Sequence, residues 1–261
     1  MHRLALMLAA LAAAPAFAQQ DFDAVLLNDG ASEFRGRAGG GLYVAPEYRG
    51  ASDRLTLLLP VAEFQWGSGW FAGTGNGVGY DFGRGSGLHW GVRGSIDWGR
   101  KESRSDALRG MGDIDPHPEV GVFMSTTLER GLPGLQLHAS VRAGAGGSGL
   151  VGDLGVGWTF DLAPGLKLRA HAAATLANSS YMQDYFGVTA AQSASSGYGV
   201  YSAQGGVRDV RAGGTLLWAI DRKLLLSAGL TASSLRSDAA DSPLTRDTSG
   251  LTALVGVTYG F

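Results

Sequence analysis

Apolar and polar residues alternate with a period of two along much of this chain. Leu88, Trp90, Val92, Ile96 and Trp98 interleave with His89, Gly91, Arg93, Ser95 and Asp97. The pattern recurs as Leu135, Leu137, Ala139 and Val141 against Gln136, His138, Ser140 and Arg142. It recurs again as Leu166, Leu168, Ala170, Ala172 and Leu176 against Lys167, Arg169, His171 and Thr175. Successive side chains of a strand point to opposite faces, so this period predicts strands with one apolar face. Segments near 36–46, 54–66, 69–82, 87–98, 118–130, 134–144, 150–161, 165–177, 198–207, 210–220, 223–234 and 251–261 qualify. Tight turns at Gly67-Ser68-Gly69, Gly131-Leu132-Pro133-Gly134 and Ala163-Pro164-Gly165 separate some of them, with glycine and proline supplying the required φ values. Longer connectors run from Gly99 to His117, Asn178 to Gly197 and Arg236 to Gly250.

The last segment alternates up to the final residue. Leu251, Ala253, Val255, Val257, Tyr259 and Phe261 fall on one face; Thr252, Gly256, Thr258 and Gly260 fall on the other, with Leu254 as an apolar exception. A lipid-facing stripe ending in an aromatic girdle explains the split. Gly256-Val257-Thr258-Tyr259-Gly260-Phe261 resembles the C-terminal signal read by barrel-assembly machinery, with Gly256, Tyr259 and Phe261 as its key positions.

Alternation alone fits a soluble antiparallel sandwich as well as a membrane barrel. The N-terminus separates the two. His2 and Arg3 precede an apolar run from Leu4 to Ala14 and the small-x-small triplet Ala16-Phe17-Ala18, the pattern of a secretory signal peptide cleaved before Gln19. The run is too short for the roughly 20 residues of a spanning helix. Downstream, the longest apolar run, Leu55 to Ala62, contains Thr56 and Pro60, so helical spans are excluded. A chain that enters a membrane without helices must close its strands into a barrel, which pairs every backbone group. The expected organisation is a signal peptide over 1–18, an N-terminal segment over 19–34, and an all-β antiparallel transmembrane barrel of about 12 strands over 35–261, in the outer membrane of a Gram-negative bacterium.

With both termini in the periplasm, this strand count places the first two long connectors there too, whereas barrels keep long loops outside. Either Gly197 to Ile220 is one strand and another lies earlier, between Phe22 and Phe34, or these connectors face the periplasm.

Composition narrows function. Glycine is 42 of 261 residues, about 16% against a usual value of about 7%, without a collagen period. The net charge of -2 offers no basic face for nucleic acid. The absence of cysteine excludes lipoprotein acylation and disulfides. Asp113, Asp115 and His117 stand at i, i+2, i+4, a spacing that can bind a cation or activate water, or that simply shapes a polar loop between Pro116 and Pro118. His89, His138 and His171 face the interior on alternate strands, as members of a hydrogen-bond network. No Gly-x-Ser-x-Gly, His-Glu-x-x-His or phosphate-loop motif occurs. No catalytic residue, cofactor or metal site is assigned, and an enzyme is not expected. Inward Arg93, Glu119, Arg142, Asp153, Lys167 and Arg169 mix both signs of charge and either line a narrow channel or cross-link the lumen. The row Gly73, Gly75, Gly77, Gly79 leaves room for a pore or for bulky neighbours.

Four stretches resemble the MipA/OmpV family of Gram-negative outer-membrane proteins. Pro46-Glu47-Tyr48-Arg49-Gly50-Ala51-Ser52-Asp53 is similar to its early Pro-x-Tyr-x-Gly-Ser segment, with Ala51 inserted, and Leu108-Arg109-Gly110-Met111-Gly112-Asp113-Ile114-Asp115 to its central loop. Tyr181 to Thr189, containing Tyr185-Phe186-Gly187, is similar to its Tyr-Phe-Gly-Val-Thr segment, and Asp241-Ser242-Pro243-Leu244 to the stretch before its last strand. The resemblance implies outer-membrane lipid and assembly machinery as partners, and a scaffold for peptidoglycan remodelling, linking a lytic transglycosylase and a murein-synthesising penicillin-binding protein to the membrane. Porin-like channels and surface adhesins are the family's other implied roles.

Overall fold

The computed structural model describes residues 34–83, 87–128 and 132–261; the expected signal peptide over 1–18 and the segment from Gln19 to Glu33 lie outside them. Twelve antiparallel strands follow one another around a closed barrel, and the last pairs with the first. They are β1 (Arg35–Pro46), β2 (Arg54–Gln65), β3 (Trp70–Gly73), β4 (Gly77–Asp81), β5 (Leu88–Asp97), β6 (His117–Leu128), β7 (Leu135–Gly144), β8 (Leu150–Ala163), β9 (Leu166–Ala177), β10 (Gly206–Ala219), β11 (Leu224–Leu235) and β12 (Ser249–Gly260). The strands are tilted. The paired row that begins at Arg35 near the start of β1 passes through Gln65, Phe71, Gly79, Arg93, Gly121, Arg142 and Val151 to Ala177 at the end of β9. A row that climbs from one end of the wall to the other is the stagger that barrel closure requires.

The alternating pattern maps onto the two faces as expected. Trp90, Val92, Ile96, Val120, Val122, Met124, Val255 and Val257 are exposed outward, while their neighbours His89, Asp97, Glu119, Thr252 and Thr258 are buried inward. Leu254, the exception on the polar face of the last strand, packs against an inner apolar patch of Tyr43, Ala45 and Leu59, flanked by Leu55 and Leu57. A ring of aromatics marks the turn end, where Phe34, Phe64, Trp66 and Phe261 cluster beside Trp70, Tyr80, Phe82 and Trp90. Phe261 extends the closure, since its N–H donates to the Gly36 carbonyl at 3.0 Å and its carbonyl accepts from the Gly36 N–H at 3.3 Å. Its ring lies over Gly36, where an added Cβ would come within 2.6 Å.

Two strand assignments differ from the sequence reading and offset each other in the count. Residues 69–82 are a hairpin of two short strands, because Gly77 adopts φ +70 and reverses the chain. Residues 198–205 of the expected strand 198–207 are not a strand; one 14-residue strand, β10, starts at Gly206. The strand missing from the sequence count lies within 69–82; the other candidate stretch, Phe22 to Phe34, falls outside the described residues up to Glu33. With this correction every long connector (47–53, 98–116, 178–205, 236–248) leaves the same end of the barrel, and the opposite end carries only short turns.

Candidate functional site: a loop plug seated on a buried charge network

The long connectors fold together over one mouth of the barrel. The connector 178–205 carries two helices, α1 (Ser179–Phe186) and α2 (Ala190–Ser196). Asn178 caps α1 by accepting from the Tyr181 N–H, and Thr189 with Gln192 forms a capping box on α2. Helices this short are held by packing rather than propensity. Tyr181, Met182 and Phe186 of α1 are buried with Val151, Ala177, Ala203, Leu235 and Ala239. A third helix, α3 (Ser237–Ala240), supplies Ala239.

The family-like segments are the parts that interlock. Pro46 ends β1 opposite Arg54. Tyr48 is buried, and its hydroxyl donates to the Leu244 carbonyl at 2.8 Å. Burial holds that phenol above its ordinary pKa, so it stays a donor. Gly50, at φ +96, presents its carbonyl to the N–H groups of Arg246 and Asp247. The inserted Ala51 is buried with Tyr48, Ala107 and Leu108, so it fills a packing position. Ser242 donates to the Phe186 carbonyl at 2.6 Å, with the half-buried Pro243 leading to the buried Leu244, which packs on Met111 and Val188. Gly187 is needed for space, since a Cβ there would meet the Gln183 side chain at 2.0 Å.

The central loop is organised by a carboxylate that sequence reading did not single out. Glu102 accepts from the N–H of Gly110 at 2.7 Å and of Gly112 at 3.0 Å, and both glycines have positive φ. A Cβ on Gly110 would also come within 2.7 Å of the backbone of Ser195 and Ser196 at the end of α2. Asp113 and Asp115 do not converge on a cation site with His117. Both carboxylates instead pair with Lys101 Nζ, at 2.9 and 3.0 Å, and Asp113 also accepts the Glu102 N–H. The Glu102 N–H and the Lys101 ammonium hold the Asp113 carboxyl below its usual range. Among the described residues no His, Asp and Glu cluster could hold a metal ion.

Arg100 and Tyr185 tie this loop to α1. The Arg100 guanidinium, buried, donates to the Tyr185 carbonyl at 2.8 Å, and the Tyr185 hydroxyl donates to Asp97 at 2.7 Å. Burial lowers the Arg100 pKa and, with the neighbouring Tyr181 and Asp97, raises that of Tyr185. Further bonds run from Gln192 to the Met111 carbonyl, from Ser195 to the Gly110 carbonyl and from Tyr198 to the Ala107 carbonyl.

Beneath the plug lies a balanced set of buried ions: Arg142, Arg208 and Arg211 with Glu119, Asp153 and Asp209. Arg142 bridges Glu119 at 3.2 Å and Asp153 at 2.5 Å; Arg211 reaches Asp153 at 3.3 Å and Asp209 at 3.4 Å; Arg208 binds Asp209 at 2.6 Å. Thr175 donates to Asp153 at 2.7 Å and accepts from Arg211 at 2.6 Å. The set spans β6 to β10. A register shift between Val207 and Asp209 turns Arg208 and Asp209 inward consecutively, the re-aiming of side chains that a bulge performs. Arg208 is 0% exposed and donates to the hydroxyl of Tyr181 on α1 at 2.9 Å, so plug and network form one unit.

Of the charges expected in the lumen, Arg142, Glu119 and Asp153 are therefore cross-linked. Lys167 does not belong to the lumen: it pairs with Asp161 at 3.1 Å on the exposed turn-end rim. Arg169 donates to Gln136 at 2.7 Å, His89 pairs with Asp81 at 2.5 Å, and His171 lies 3.3 Å from Thr231. The glycine row makes room for bulky neighbours, as a Cβ at Gly73 would strike Glu63 and one at Gly79 would strike Phe71. Arg208, Asp209 and Arg211 escaped the sequence reading because the bulge breaks the period there; the consecutive polar pair between Val207 and Val210 was the available signal.

A family model described as MltA-interacting protein MipA matches residues 38–261, which takes in the barrel from within β1 to its end and all four interlocked segments. The chain belongs to the MipA family. A closed barrel with an apolar exterior in a member of this family is an outer-membrane β-barrel. No curated protein matches this MipA-family chain. Among solved structures it is similar to the translocator domain of autotransporter NalP from Neisseria meningitidis, at 13% identity over 92% of each chain with a TM-score of 0.42. It is also similar to the NanC porin, at 10% identity over 86% of this chain and 98% of that one, TM-score 0.41. The anion-selective porin from Comamonas acidovorans shows 7% identity over 87% and 98%, TM-score 0.40. The assignment rests on the family match and on the closure of the sheet, not on these likenesses.

Proposed function

We propose that this MipA-family barrel is a non-enzymatic scaffold of the outer membrane, closed to solutes, that docks peptidoglycan-remodelling enzymes, a lytic transglycosylase first among them. The dry, plugged mouth at the loop end is the observation that supports the reading. Charges lining an aqueous channel are hydrated, whereas Arg142, Asp153, Arg208 and Asp209 have at most 5% of their surface exposed and lie under a hydrogen-bonded plug. The opposite half of the wall at that mouth is equally dry, with Tyr43 and Ala45 each 1% exposed. The description of the family supplies the partner class. With long loops outward, as barrels place them, a periplasmic enzyme meets the turn-end face.

Two measurements test the two halves of this reading. The purified barrel in a planar bilayer is expected to give no steady single-channel current; open-channel currents overturn the closed-lumen part. Crosslinking in intact envelopes followed by purification of the barrel is expected to recover a lytic transglycosylase. Recovery of the barrel without any murein enzyme overturns the scaffold part.

A further inference from the structure

The wall has a notch beside β2. β3 and β4 contain only four and five residues, so their hairpin turns back at 74–76 while β2 and β5 on either side continue toward the loops. β2 pairs with β1 from Arg54 to Gln65 but with β3 only at Glu63, Phe64 and Gln65. Ala62 makes the last bonds on that side: its carbonyl accepts from the Thr74 N–H at 2.9 Å, and its N–H donates to the Thr74 hydroxyl at 3.2 Å. Main-chain groups alternate in direction along a strand, so those of Thr56, Leu58 and Pro60 point into the notch as those of Ala62 point to β3. Among the described residues no strand receives them. Pro60 has no N–H to leave unpaired, which is how proline is tolerated at a sheet edge. Thr56 and Leu58 each present a donor and an acceptor.

The surroundings of this edge are apolar on both faces of the wall. Outside, Leu58 is 83% exposed and stands in one row with exposed Leu42 and Val255, so the notch opens at the depth of the lipid-facing belt. Inside, β2 departs from the other strands. Its inner positions are Leu55, Leu57, Leu59 and Val61, where the inner faces of β5, β6, β8 and β10 carry buried His89, Glu119, Asp153 and Arg211. Leu59 is buried with Tyr43 and Ala45, but Leu55 and Leu57, nearer the loops, stay only half-buried although they face inward. A strand of this kind, apolar on both faces, is built for apolar neighbours on both. The run from Leu55 to Ala62, which a polar-lined lumen does not call for, thus coincides with the opening.

We propose that the notch binds one amide-linked acyl chain of an outer-leaflet lipid, which enters sideways from the bilayer. An open sheet edge does not stand bare in hydrocarbon, and a plain alkyl chain has nothing to offer the free groups of Thr56 and Leu58. An ester linkage brings acceptors only. An amide brings a carbonyl for the edge N–H groups and an N–H for the edge carbonyls. The depth agrees with this pairing. With the long loops outward, the exposed, charged Arg54 marks the headgroup level at the end of β2, and Thr56 and Leu58 follow just beneath it, where the head and chains of a lipid are joined. The tail then runs past Leu57 and Leu59 toward Ala62, along a free edge about 20 Å long at about 3.3 Å per residue. Entry through the wall does not require the plug to open.

Sphingomyelin and phosphatidylcholine share a headgroup, but one chain of sphingomyelin is held by an amide, so the pair is the probe. The purified barrel is reconstituted in phosphatidylcholine vesicles with a minor share of sphingomyelin, extracted, and weighed by native mass spectrometry. One sphingomyelin per barrel is expected, enriched at least tenfold over its share of the vesicle. Thr56→Pro with Leu58→Pro removes both edge donors without touching the ladder to β1, as Pro60 already does, and is expected to abolish the enrichment while the barrel still shifts its gel mobility on heating. Leu57→Trp fills the inner side of the notch and should lower lipid retention at least tenfold; Leu230→Trp on the lipid face of β11 should leave it unchanged. No retained lipid, the two lipids retained in proportion to the vesicle, or enrichment untouched by both the proline pair and Leu57→Trp overturns the proposal. A barrel dimer that the proline pair dissolves also overturns it, by assigning the edge to a second copy.

Discussion

Asp153→Asn is the sharpest perturbation of the closed lumen. Asp153 sits on β8 between two arginines, 2.5 Å from Arg142 and 3.3 Å from Arg211, and accepts from Thr175 at 2.7 Å. Neutralising it leaves three buried cations facing two anions. Removing one partner of a buried pair costs about 3–5 kcal/mol, because the remaining charge is stranded. That is a large share of the roughly 5–15 kcal/mol that holds a typical domain folded. Asp161→Asn on the rim is the internal control. Its pair with Lys167 has side chains 77% and 54% exposed, and exposed pairs contribute about 0–1 kcal/mol. Urea titration of the folded barrel in lipid, read by the shift between heated and unheated bands on a gel, reports both. The double variant Asp153→Asn with Arg211→Gln leaves Arg142 with Glu119 and Arg208 with Asp209, two charges of each sign. It should recover about 1–3 kcal/mol of the loss, the coupling expected for groups in one network. If Asp153→Asn costs no more than Asp161→Asn, the network is hydrated and the lumen is not closed there.

Phe261→Ser should reduce insertion into the outer membrane severalfold, because it removes the ring that covers Gly36 and packs with Phe34 and Phe64; normal surface levels by quantitative immunoblot would contradict this. Val92→Arg and Leu168→Arg place a charge on the lipid face at about 2–4 kcal/mol each near the midplane, whereas Arg169→Gln exchanges one inward polar group for another, so folded yield should fall for the first two only. Gly110→Ala forces a Cβ into φ +81 and against the backbone of Ser195, a cost of about 1–2 kcal/mol for the backbone alone. Limited proteolysis should then cut the loops while the barrel core stays protected, and unchanged loop resistance would refute the interlocking role.

The outer surface was legible because lipid demands apolar residues at every second position, and no other pressure acts on that face. Even Leu254, the one irregularity in the last strand, marks a real inner patch around Tyr43. The inside was less legible because it answers to local geometry. The hairpin within 69–82 hid in a run whose glycines read equally well as one strand, and only the positive φ of Gly77 reverses it. The bulge at Arg208 breaks the period where the charge network needs two adjacent inward side chains. The helices of 178–205 carried readable caps in Asn178 and in Thr189 with Gln192, but their stability comes from Tyr181, Met182 and Phe186 packing on strands far away in sequence. The four family-like segments were found as separate motifs; that they are one interlocked plug is a tertiary fact.

Why the plug exists follows from barrel size. Eight strands enclose a space that wall side chains fill, and sixteen or more leave a water channel; twelve strands lie between, and here the connectors as well as wall side chains fill the loop-end mouth. The six ions beneath the plug illustrate the consequence. Left under open water, Arg208 and Asp209 would pair only loosely, because exposed ions gain little from each other. Tyr181 and the α1 helix exclude that water, and the Tyr181 hydroxyl accepts from Arg208 Nη1 while Arg208 Nε binds Asp209, which strengthens the pair. The wall and the loop 178–205 therefore depend on each other: the loop helices have no hydrophobic seat without Val151, Ala177 and Leu235, and the ions have no dry site without the helices. How open the loop-end mouth is therefore depends on loop residues as well as on the strand count.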